Sequence, residues 1–236
     1  MSISIDIPLH ELSSQIRLFV SSIPVSLTAL IPCVNPVGTA IILLSLTHGA
    51  DAKTRKQLAR RIAMNTTLLL TGSLLVGSYL LQFFGVSLAI VEAVGGMVLA
   101  TMGWRMLNQR DQVDADKTAT QMEPQNLWQS VFYPFTFPIT VGPGCIAVAI
   151  TLSAHSHKDT VLQTSLAQAG FIVGILAVSA LVFICYQYSE LITERLGPSG
   201  TSVLMRLISF LVACIGAQIA WDGISELLAQ VGKAAA

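Results

Sequence analysis

The sequence predicts an all-α integral membrane protein whose six transmembrane helices form two inverted three-helix repeats, with the first and fourth helices interrupted. Of its 236 residues, 53% are hydrophobic and only 11% are charged, whereas an average soluble domain carries about 25% charged residues. Several apolar stretches also exceed the roughly 20 residues that span a bilayer. Two of these stretches contain a proline and glycine motif at corresponding places in the two halves of the chain.

Six apolar segments of membrane-spanning length follow one another along the chain. The first is longer than one plain span needs, as expected of two half-helices joined by an irregular link. The polar stretch Asn108–Asn126 is predicted to be a loop between the halves, and residues 196–200 are predicted to form a turn. The predicted spans are Gln15–Thr47, Leu58–Phe84, Ser87–Leu107, Leu127–Ala154, Val161–Tyr188 and Val203–Leu228.

The order of features in the two halves predicts an internal duplication. Aligning Asn35-Pro36 with Gly142-Pro143 also aligns Ala40 with Ala147, and Ala100–Gly103 matches Ala213–Gly216 at a slightly different offset. A repeat of three spans enters the membrane from opposite sides in its two copies, which gives inverted topology. The chain is therefore predicted to be one transmembrane domain, residues 1–236, with repeat 1 at about 15–107, a cytoplasmic loop at about 108–126 and repeat 2 at about 127–229.

Basic residues in the short loops predict the orientation of the chain in the membrane. Nine of them fall on one side of the six predicted spans and three on the other, so both termini are expected outside the cytoplasm. The first group is Lys53, Arg55, Lys56, Arg60, Arg61, Arg105, Arg110, Lys117 and Arg195, and the second is Arg17, Lys158 and Lys233.

The two interruptions, Cys33–Gly38 and Thr140–Gly144, predict a binding site. Proline removes a backbone donor and glycine tolerates non-helical angles, and broken backbone in a membrane must be buried in protein or line a cavity. The first amides after each break are expected to lack acceptors and to favour an anion. These are the amides of Val37, Gly38, Thr39, Gly144, Cys145 and Ile146.

The preceding half-helices are expected to end near Ile31 and Pro138 with free carbonyls that suit an ammonium group. Donors on one side and acceptors on the other fit a small zwitterion such as an amino acid. The alternative is a pair of proline kinks whose backbone groups are satisfied by neighbouring helices. The predicted substrate-binding residues are Asn35, Pro36, Val37, Gly38, Thr39, Thr140, Gly142, Pro143, Gly144 and Cys145.

Both motifs match a known family. Asn35-Pro36-Val37-Gly38 and Pro138–Gly144 correspond to the Asn-Pro-x-Gly and Gly-Pro-Gly motifs of the MarC family of bacterial inner-membrane proteins, also described as a neutral amino acid transporter family. The sequence resembles that family from about Leu30 to Gly223. The resemblance implies six helices in two inverted repeats and, in some members, transport of glycine, alanine and related amino acids.

Further matches to that family are the Gly95-Gly96 pair and Arg206-Leu207. The chain departs from the family pattern at Glu92, where members often have Arg or Gln, and at Ser209, where they often have Gly. Either departure could alter ion coupling or substrate choice.

Glu92 and Arg206 are predicted to lie inside the membrane, where charges are costly and often functional. They occupy near-equivalent places early in the third and sixth spans. One hypothesis is that they pair or face a central cavity and take part in coupling to a proton or a sodium ion. The alternative is that both lie near the interface and extend to water.

The predicted function is gradient-driven secondary transport of a small neutral amino acid by alternating access. The sequence contains no G-x-x-x-x-G-K-[ST] phosphate loop, no Ser-His-Asp or H-E-x-x-H pattern and no C-x-x-C spacing, so no enzyme activity, cofactor, metal or nucleic-acid partner is expected. The expected partners are the lipid bilayer, the zwitterionic solute and a coupling ion. The alternatives are a non-transporting membrane scaffold or assembly partner, and a channel for small uncharged solutes.

Overall fold

The computed structural model describes residues 9–47, 50–108, 127–156 and 160–234, and every regular element within these ranges is helical. Most of the predicted loop, residues 109–126, lies outside them. The fifth element is a π-type segment rather than an α-helix. In chain order the elements are α1 (Leu9–Val34), α2 (Pro36–Leu46), α3 (Ala52–Phe84), α4 (Leu88–Asn108), α5 (Val131–Thr140), α6 (Pro143–Ser156), α7 (Val161–Gln187) and α8 (Ser189–Ala234).

Five helical stretches are long and apolar enough to cross a membrane, and a sixth exists if α5 and α6, bent by 70° relative to each other, count as one. The prediction of an all-helical chain with membrane-length spans is therefore confirmed. The five stretches are Gln15–Leu46, Ala52–Phe84, Leu88–Asn108, Val161–Gln187 and Ser199–Gly232.

The second span begins at Ala52 rather than at the predicted Leu58 because Asp51 caps it. The Asp51 carboxylate accepts a hydrogen bond from the Thr54 amide over 3.1 Å, which satisfies a donor at the helix start. The same contacts with Thr54 lower the pKa of the exposed Asp51 carboxyl. Just beyond the other end of α3, Gly85 adopts a left-handed φ of 66°, a conformation that glycine reaches without steric cost.

The predicted turn at residues 196–200 is a single kink. Helix α8 is regular on both sides of Gly197, whose φ and ψ of 64° and 174° lie outside the helical region. This kink separates the short helical stretch that begins at Ser189 from the long apolar stretch Ser199–Gly232.

Helices α4 and α8 pack against each other with their backbones in direct contact. A Cβ atom at Gly103 would lie 2.8 Å from the Ala213 Cα, and one at Gly96 would lie 2.7 Å from the Ala220 Cα. Small residues allow membrane helices to approach this closely. Because the earlier residue of α4 contacts the later residue of α8, the two helices run antiparallel.

Helices α1 and α7 run in the same direction. A Cβ atom at Gly170 would lie 2.7 Å from the Ser22 Cβ, and one at Gly174 would lie 2.9 Å from the Ser26 Cβ. Residue numbers therefore rise together along both helices.

Helix α3 runs in the same direction as α5 and α6. Asn65 Nδ2 lies 3.4 Å from Thr136 Oγ1, and Ser153 Oγ donates to Ser78 Oγ over 3.2 Å. With α5–α6 counted as the fourth span, α1 and α7 belong to odd-numbered spans and α3 and α5–α6 to even-numbered ones. Spans that cross a membrane one after another alternate in direction, so two odd-numbered or two even-numbered spans run the same way. The third span, α4, and the sixth, α8, must then be antiparallel, as they are.

The residues around the two interruptions belong to the buried core of the protein. Val34, Val141, Phe135 and Tyr186 are each fully buried. The outer surface is apolar instead of charged over long stretches, as Phe83 illustrates with 82% exposure. An exposed apolar belt of this kind is stable in lipid and costly in water.

Candidate functional site

The first interruption is centred on Asn35, the only non-glycine residue of the described ranges with a positive φ. Its φ and ψ are 47° and 63°, and its Oδ1 accepts a hydrogen bond from the Gly38 amide over 3.1 Å. Pro36 begins α2, where its missing donor costs nothing. A Cβ atom at Gly38 would lie 2.8 Å from the Asn35 Cγ. Glycine at position 38 therefore leaves space for the Asn35 cap.

The backbone groups of the first interruption differ from the sequence prediction. The Gly38 amide bonds to the Asn35 side chain, and the Thr39 amide donates to the Asn35 carbonyl over 3.0 Å. The Ile31 carbonyl, predicted to be free, accepts from the Asn35 amide over 2.9 Å. The prediction that these three groups are available to a ligand is wrong, because Asn35 caps α2 with its side chain and carbonyl and completes the end of α1 with its own amide.

The second interruption follows from two prolines in α5. Pro134 has no N–H, so the Ser130 carbonyl accepts instead from the Phe135 amide one residue later, over 3.1 Å. The Thr140 hydroxyl donates to the Phe135 carbonyl over 2.7 Å. Val141 then adopts an extended conformation, after which α6 leaves at an angle of 70°.

Two of the three amides predicted to be free after the second interruption also have an acceptor within the chain. The Cys145 and Ile146 amides both point to the Gly142 carbonyl, at 3.0 and 3.3 Å. The prediction that this pair would point to an anion is therefore wrong as well. The helix begins with a tight turn around Gly142, which supplies the acceptor within the chain.

The two interruptions lie side by side and are joined by Tyr186 of α7. The Tyr186 hydroxyl lies 2.6 Å from Thr140 Oγ1, and the Thr39 side chain of the first interruption lies close to the same hydroxyl. Because Thr140 uses its single proton on the Phe135 carbonyl, Tyr186 is the donor to Thr140. Cys33 and Cys145, one from each interruption, are both free and buried. A buried polar path therefore leads from one interruption to the other.

One donor in this cluster has no acceptor. Asn35 is only 5% exposed, and its Nδ2 atom is buried without a hydrogen-bond partner. A buried donor left unsatisfied costs about 1–3 kcal/mol. An orphaned donor at this point is a candidate contact for a ligand that accepts hydrogen bonds.

Most of the predicted binding residues lie in this buried region. Eight of the ten are buried, Val37 is half-buried and Pro143 is exposed. The eight are Asn35, Pro36, Gly38, Thr39, Thr140, Gly142, Gly144 and Cys145. The two motifs, far apart in sequence, thus meet in one closed cluster.

Glu92 and Arg206 do not form the predicted pair. Glu92 is buried beside Gly223 near the end of α8, whereas Arg206 is exposed near the start of the same long stretch. Seventeen residues of helix separate positions 206 and 223, which is about 25 Å. The physical reason is direction: equivalent positions on two antiparallel helices lie at opposite ends of the pair.

Glu92 instead lines a cavity of about 340 Å³ that it shares with two other carboxylates, Asp222 and Glu226. Asp222 accepts a hydrogen bond from Gln218 Nε2 over 2.8 Å. Of these three acids only Glu92 is buried. The cavity gives the Glu92 carboxyl, near the start of α4, a polar environment.

Comparison with known proteins agrees with this architecture. A family model described as MarC family integral membrane protein matches residues 20–228. The chain belongs to the MarC family. No solved structure matches it.

Relatives of this MarC-family chain cover most of its length. The UPF0056 membrane protein YvbG of Bacillus subtilis (strain 168) is 28% identical over 195 residues, which are 82% of this chain and 89% of the relative. The UPF0056 inner membrane protein MarC of Escherichia coli O139:H28 is 25% identical over 216 residues, and that of Salmonella typhimurium (strain LT2) is 23% identical over 211. Each of these two alignments covers 88% of this chain and 96% of the relative.

Tyr186 is the member of the cluster that sequence reasoning missed in this MarC-family chain. It lies near the end of α7, in a stretch that contains no motif. A buried tyrosine usually finds a hydrogen-bond partner for its hydroxyl, so its position inside a span is the signal that could have found it.

Proposed function

We propose that this MarC-family protein is a secondary transporter of small neutral amino acids that works by alternating access. The observation that carries the proposal is the meeting of two interrupted helices at one buried polar cluster. Interrupted helices in corresponding positions of two halves are typical of transporter binding sites. Eight of the ten predicted binding residues are buried, and fully buried side chains such as Val34 and Val141 pack around them, which supports an occluded state.

Side chains rather than free backbone amides are the proposed ligands of the substrate. Asn35 Nδ2 is the donor for the substrate carboxylate, and the hydroxyls of Thr39, Thr140 and Tyr186 supply further polar contacts. Gly38 and Gly142 leave little side-chain bulk around the cluster. A small amino acid of the glycine or alanine type is the substrate that this arrangement favours.

We also propose that the halves are inverted repeats. A Cβ atom at Gly103 would lie 2.8 Å from the Ala213 Cα, and a Cβ atom at Gly216 would lie 2.7 Å from the Ala100 Cα. The sequence aligns Ala100 with Ala213 and Gly103 with Gly216, so each contact becomes the other when the repeats are exchanged. The antiparallel course of α4 and α8 is the one that inverted repeats require, and it favours rocking of one half against the other.

The proposed location is the bacterial inner membrane, as in the names of the Escherichia coli and Salmonella relatives. The excess of Lys and Arg in one set of loops supports an orientation with both termini outside the cytoplasm.

Replacement of Tyr186 by Phe tests the transport proposal. Uptake of labelled glycine and alanine would be measured in proteoliposomes, with and without an imposed pH gradient. Tyr186→Phe removes the hydroxyl that joins the two interruptions, and we expect uptake to fall at least about tenfold, equivalent to about 1.4 kcal/mol. Tyr79→Phe is the matched control, because Tyr79 is 63% exposed on the outer surface.

Three results would contradict the proposal. Equal uptake by Tyr186→Phe and wild type would remove the cluster from the mechanism. Flux that never saturates and ignores ion gradients would favour a channel. If no small amino acid is taken up in any gradient, although the protein is folded, a scaffold or assembly role becomes the better explanation.

Glu92 is the proposed coupling residue because it is the buried carboxyl beside a polar cavity. We expect Glu92→Gln to abolish the stimulation of uptake by a pH gradient, since glutamine cannot exchange a proton. Glu226→Gln is the control, because Glu226 lines the same cavity but is exposed. Full proton-driven uptake by the Glu92→Gln variant would exclude Glu92 from coupling, and the effect of a sodium gradient on both variants would then be measured.

A further inference from the structure

A groove runs between α3 and α7 on the outer surface of the protein. One stripe of each helix lines it, with the spacing i, i+3, i+4 and i+7 that places residues on one helix face. Its volume is about 350 Å³, within the usual range for ligand pockets. The lining residues are Arg60, Ala63, Met64, Thr67, Leu176, Ser179, Ala180 and Phe183.

The groove opens toward the bilayer, and its basic end lies at headgroup level. Met64 and Leu176 are 61% and 50% exposed. Arg60 precedes Phe84, the last residue of α3, by 24 residues, which is about 36 Å of helix. The hydrocarbon core is about 30 Å thick. With the far end of α3 at one interface, the Arg60 guanidinium therefore reaches the opposite one.

Three polar side chains, those of Arg60, Thr67 and Ser179, line this otherwise apolar groove. Arg60 is exposed, and within the described ranges it forms no ion pair. Ser179 is 3% exposed, and its hydroxyl is buried without a hydrogen-bond partner although it lines the groove. The Thr67 hydroxyl, in contrast, is satisfied by the Ala63 carbonyl over 3.0 Å. A cation at the rim and an orphaned hydroxyl deeper inside both point to a ligand with acceptor groups.

We infer that this groove binds an anionic phospholipid from the surrounding membrane. The phosphate binds the Arg60 guanidinium, whose planar donors suit phosphate oxygens. The glycerol ester carbonyl accepts from the Ser179 hydroxyl, and one acyl chain packs along Met64, Leu176 and Phe183. Basic pockets between membrane helices are known sites for anionic lipid headgroups. None of the eight lining residues is acidic, so the amine of a zwitterionic headgroup finds no partner here.

The neighbouring Arg61 differs from Arg60 in one decisive way. Its guanidinium carbon lies 5.0 Å above the centre of the Trp128 ring, and Arg61 lines a neighbouring pocket with Trp128 rather than the groove. A cation held by an aromatic face in this manner is already partnered. Arg61 is therefore a control for Arg60, since it carries the same charge on the adjacent residue of the same helix.

Native mass spectrometry of the purified full chain tests this inference. The protein in detergent would be titrated with phosphatidylglycerol and with phosphatidylcholine of the same acyl chains. We expect the wild type to bind one phosphatidylglycerol at least tenfold more tightly than phosphatidylcholine. Arg60→Gln is expected to remove this preference, and Ser179→Ala to weaken binding of both lipids several-fold. Arg61→Gln is expected to leave the preference unchanged.

A groove-filling variant separates the site from general surface charge. Ala180 is exposed, so Ala180→Trp can fold while blocking the acyl-chain position, and it is expected to abolish tight binding without changing the net charge. Equal losses in Arg60→Gln and Arg61→Gln would overturn the inference, because they would reflect charge alone. Unchanged lipid binding by Ala180→Trp would also overturn it. A loss of oligomer mass in that variant, with lipid binding retained, would identify the groove as a contact between copies of the chain.

Discussion

Asn35→Gly is expected to abolish amino acid transport while leaving the protein about as stable as the wild type. Glycine adopts the left-handed angles of position 35 without steric cost, and glycine at an N-cap loses only a few tenths of a kcal/mol relative to asparagine. The substitution also removes the buried, unpartnered Nδ2 atom, a group whose burial costs about 1–3 kcal/mol. The Gly38 amide loses its buried acceptor at the same time, so one unsatisfied donor replaces another and the stability changes little, whereas the proposed donor to the substrate carboxylate disappears.

Asn35→Ala provides the comparison. Alanine loses the cap, worth about 1 kcal/mol, and must adopt a left-handed conformation that costs roughly 1–2 kcal/mol. We therefore expect Asn35→Ala to be less stable than Asn35→Gly by about 2 kcal/mol, with both variants inactive. Thermal unfolding in detergent and uptake of labelled glycine by proteoliposomes measure the two properties separately.

The outcome distinguishes a functional donor from a structural one. If Asn35→Gly transports normally, the orphaned Nδ2 has no part in recognition. If Asn35→Gly unfolds as readily as Asn35→Ala, the side chain serves mainly to hold the break together. Only a stable and inactive Asn35→Gly supports the proposed contact.

The positions of the interruptions could be predicted because they depend on local chemistry. Proline cannot donate and glycine accepts unusual angles, so Asn35-Pro36 and Gly142-Pro143 were bound to disturb their helices. Both α2 and α6 indeed begin at a proline. The spans were predictable for a similar reason, since length and apolar composition decide whether a helix crosses a membrane.

The hydrogen bonding at the first break follows from ordinary capping, which the sequence prediction did not consider. An asparagine at an N-cap accepts from the N3 amide with its side chain and from the first helical amide with its carbonyl, as Asn35 does from Gly38 and Thr39. The pattern of residues does not reveal how closely the two half-helices follow each other. Asn35 is the single residue between α1 and α2, so its own amide still donates to the Ile31 carbonyl.

Contacts between spans that are far apart in sequence could not be predicted either. The hydrogen bond between Tyr186 and Thr140 joins residues 46 positions apart, and no motif surrounds the tyrosine. The predicted pair of Glu92 and Arg206 fails for a different reason. The prediction assumed that equivalent positions in the two repeats lie close together in space. In antiparallel helices equivalent positions are far apart unless they lie near the centre of the contact, as Gly103 and Gly216 do.

Gly216→Leu is expected to prevent α4 and α8 from packing and so to destabilise the fold by about 3 kcal/mol or more. A Cβ atom at Gly216 would lie 2.7 Å from the Ala100 Cα and 2.8 Å from the Gly96 carbonyl oxygen. These are backbone atoms, which cannot rotate away as the end of a side chain can. The yield of monodisperse protein and its unfolding temperature in detergent would report the loss.

Gly72→Leu is the matched control, because a Cβ atom there has open space around it in the middle of α3. The same change in size and hydrophobicity should therefore leave the protein folded and, through better helix propensity, slightly more stable. A well-folded Gly216→Leu protein would mean that the α4–α8 contact can loosen at little cost.

Gly103→Leu extends the test to the proposed repeat. Gly103 contacts Ala213 as Gly216 contacts Ala100, so two halves related by a two-fold axis should lose similar stability from either substitution. A large loss in one variant and none in the other would mean that the two crossings differ in energy despite their similar geometry. Similar losses would support a symmetric contact between α4 and α8. A symmetric contact resists tilting of the two helices equally toward either face of the membrane, as the proposed rocking motion requires.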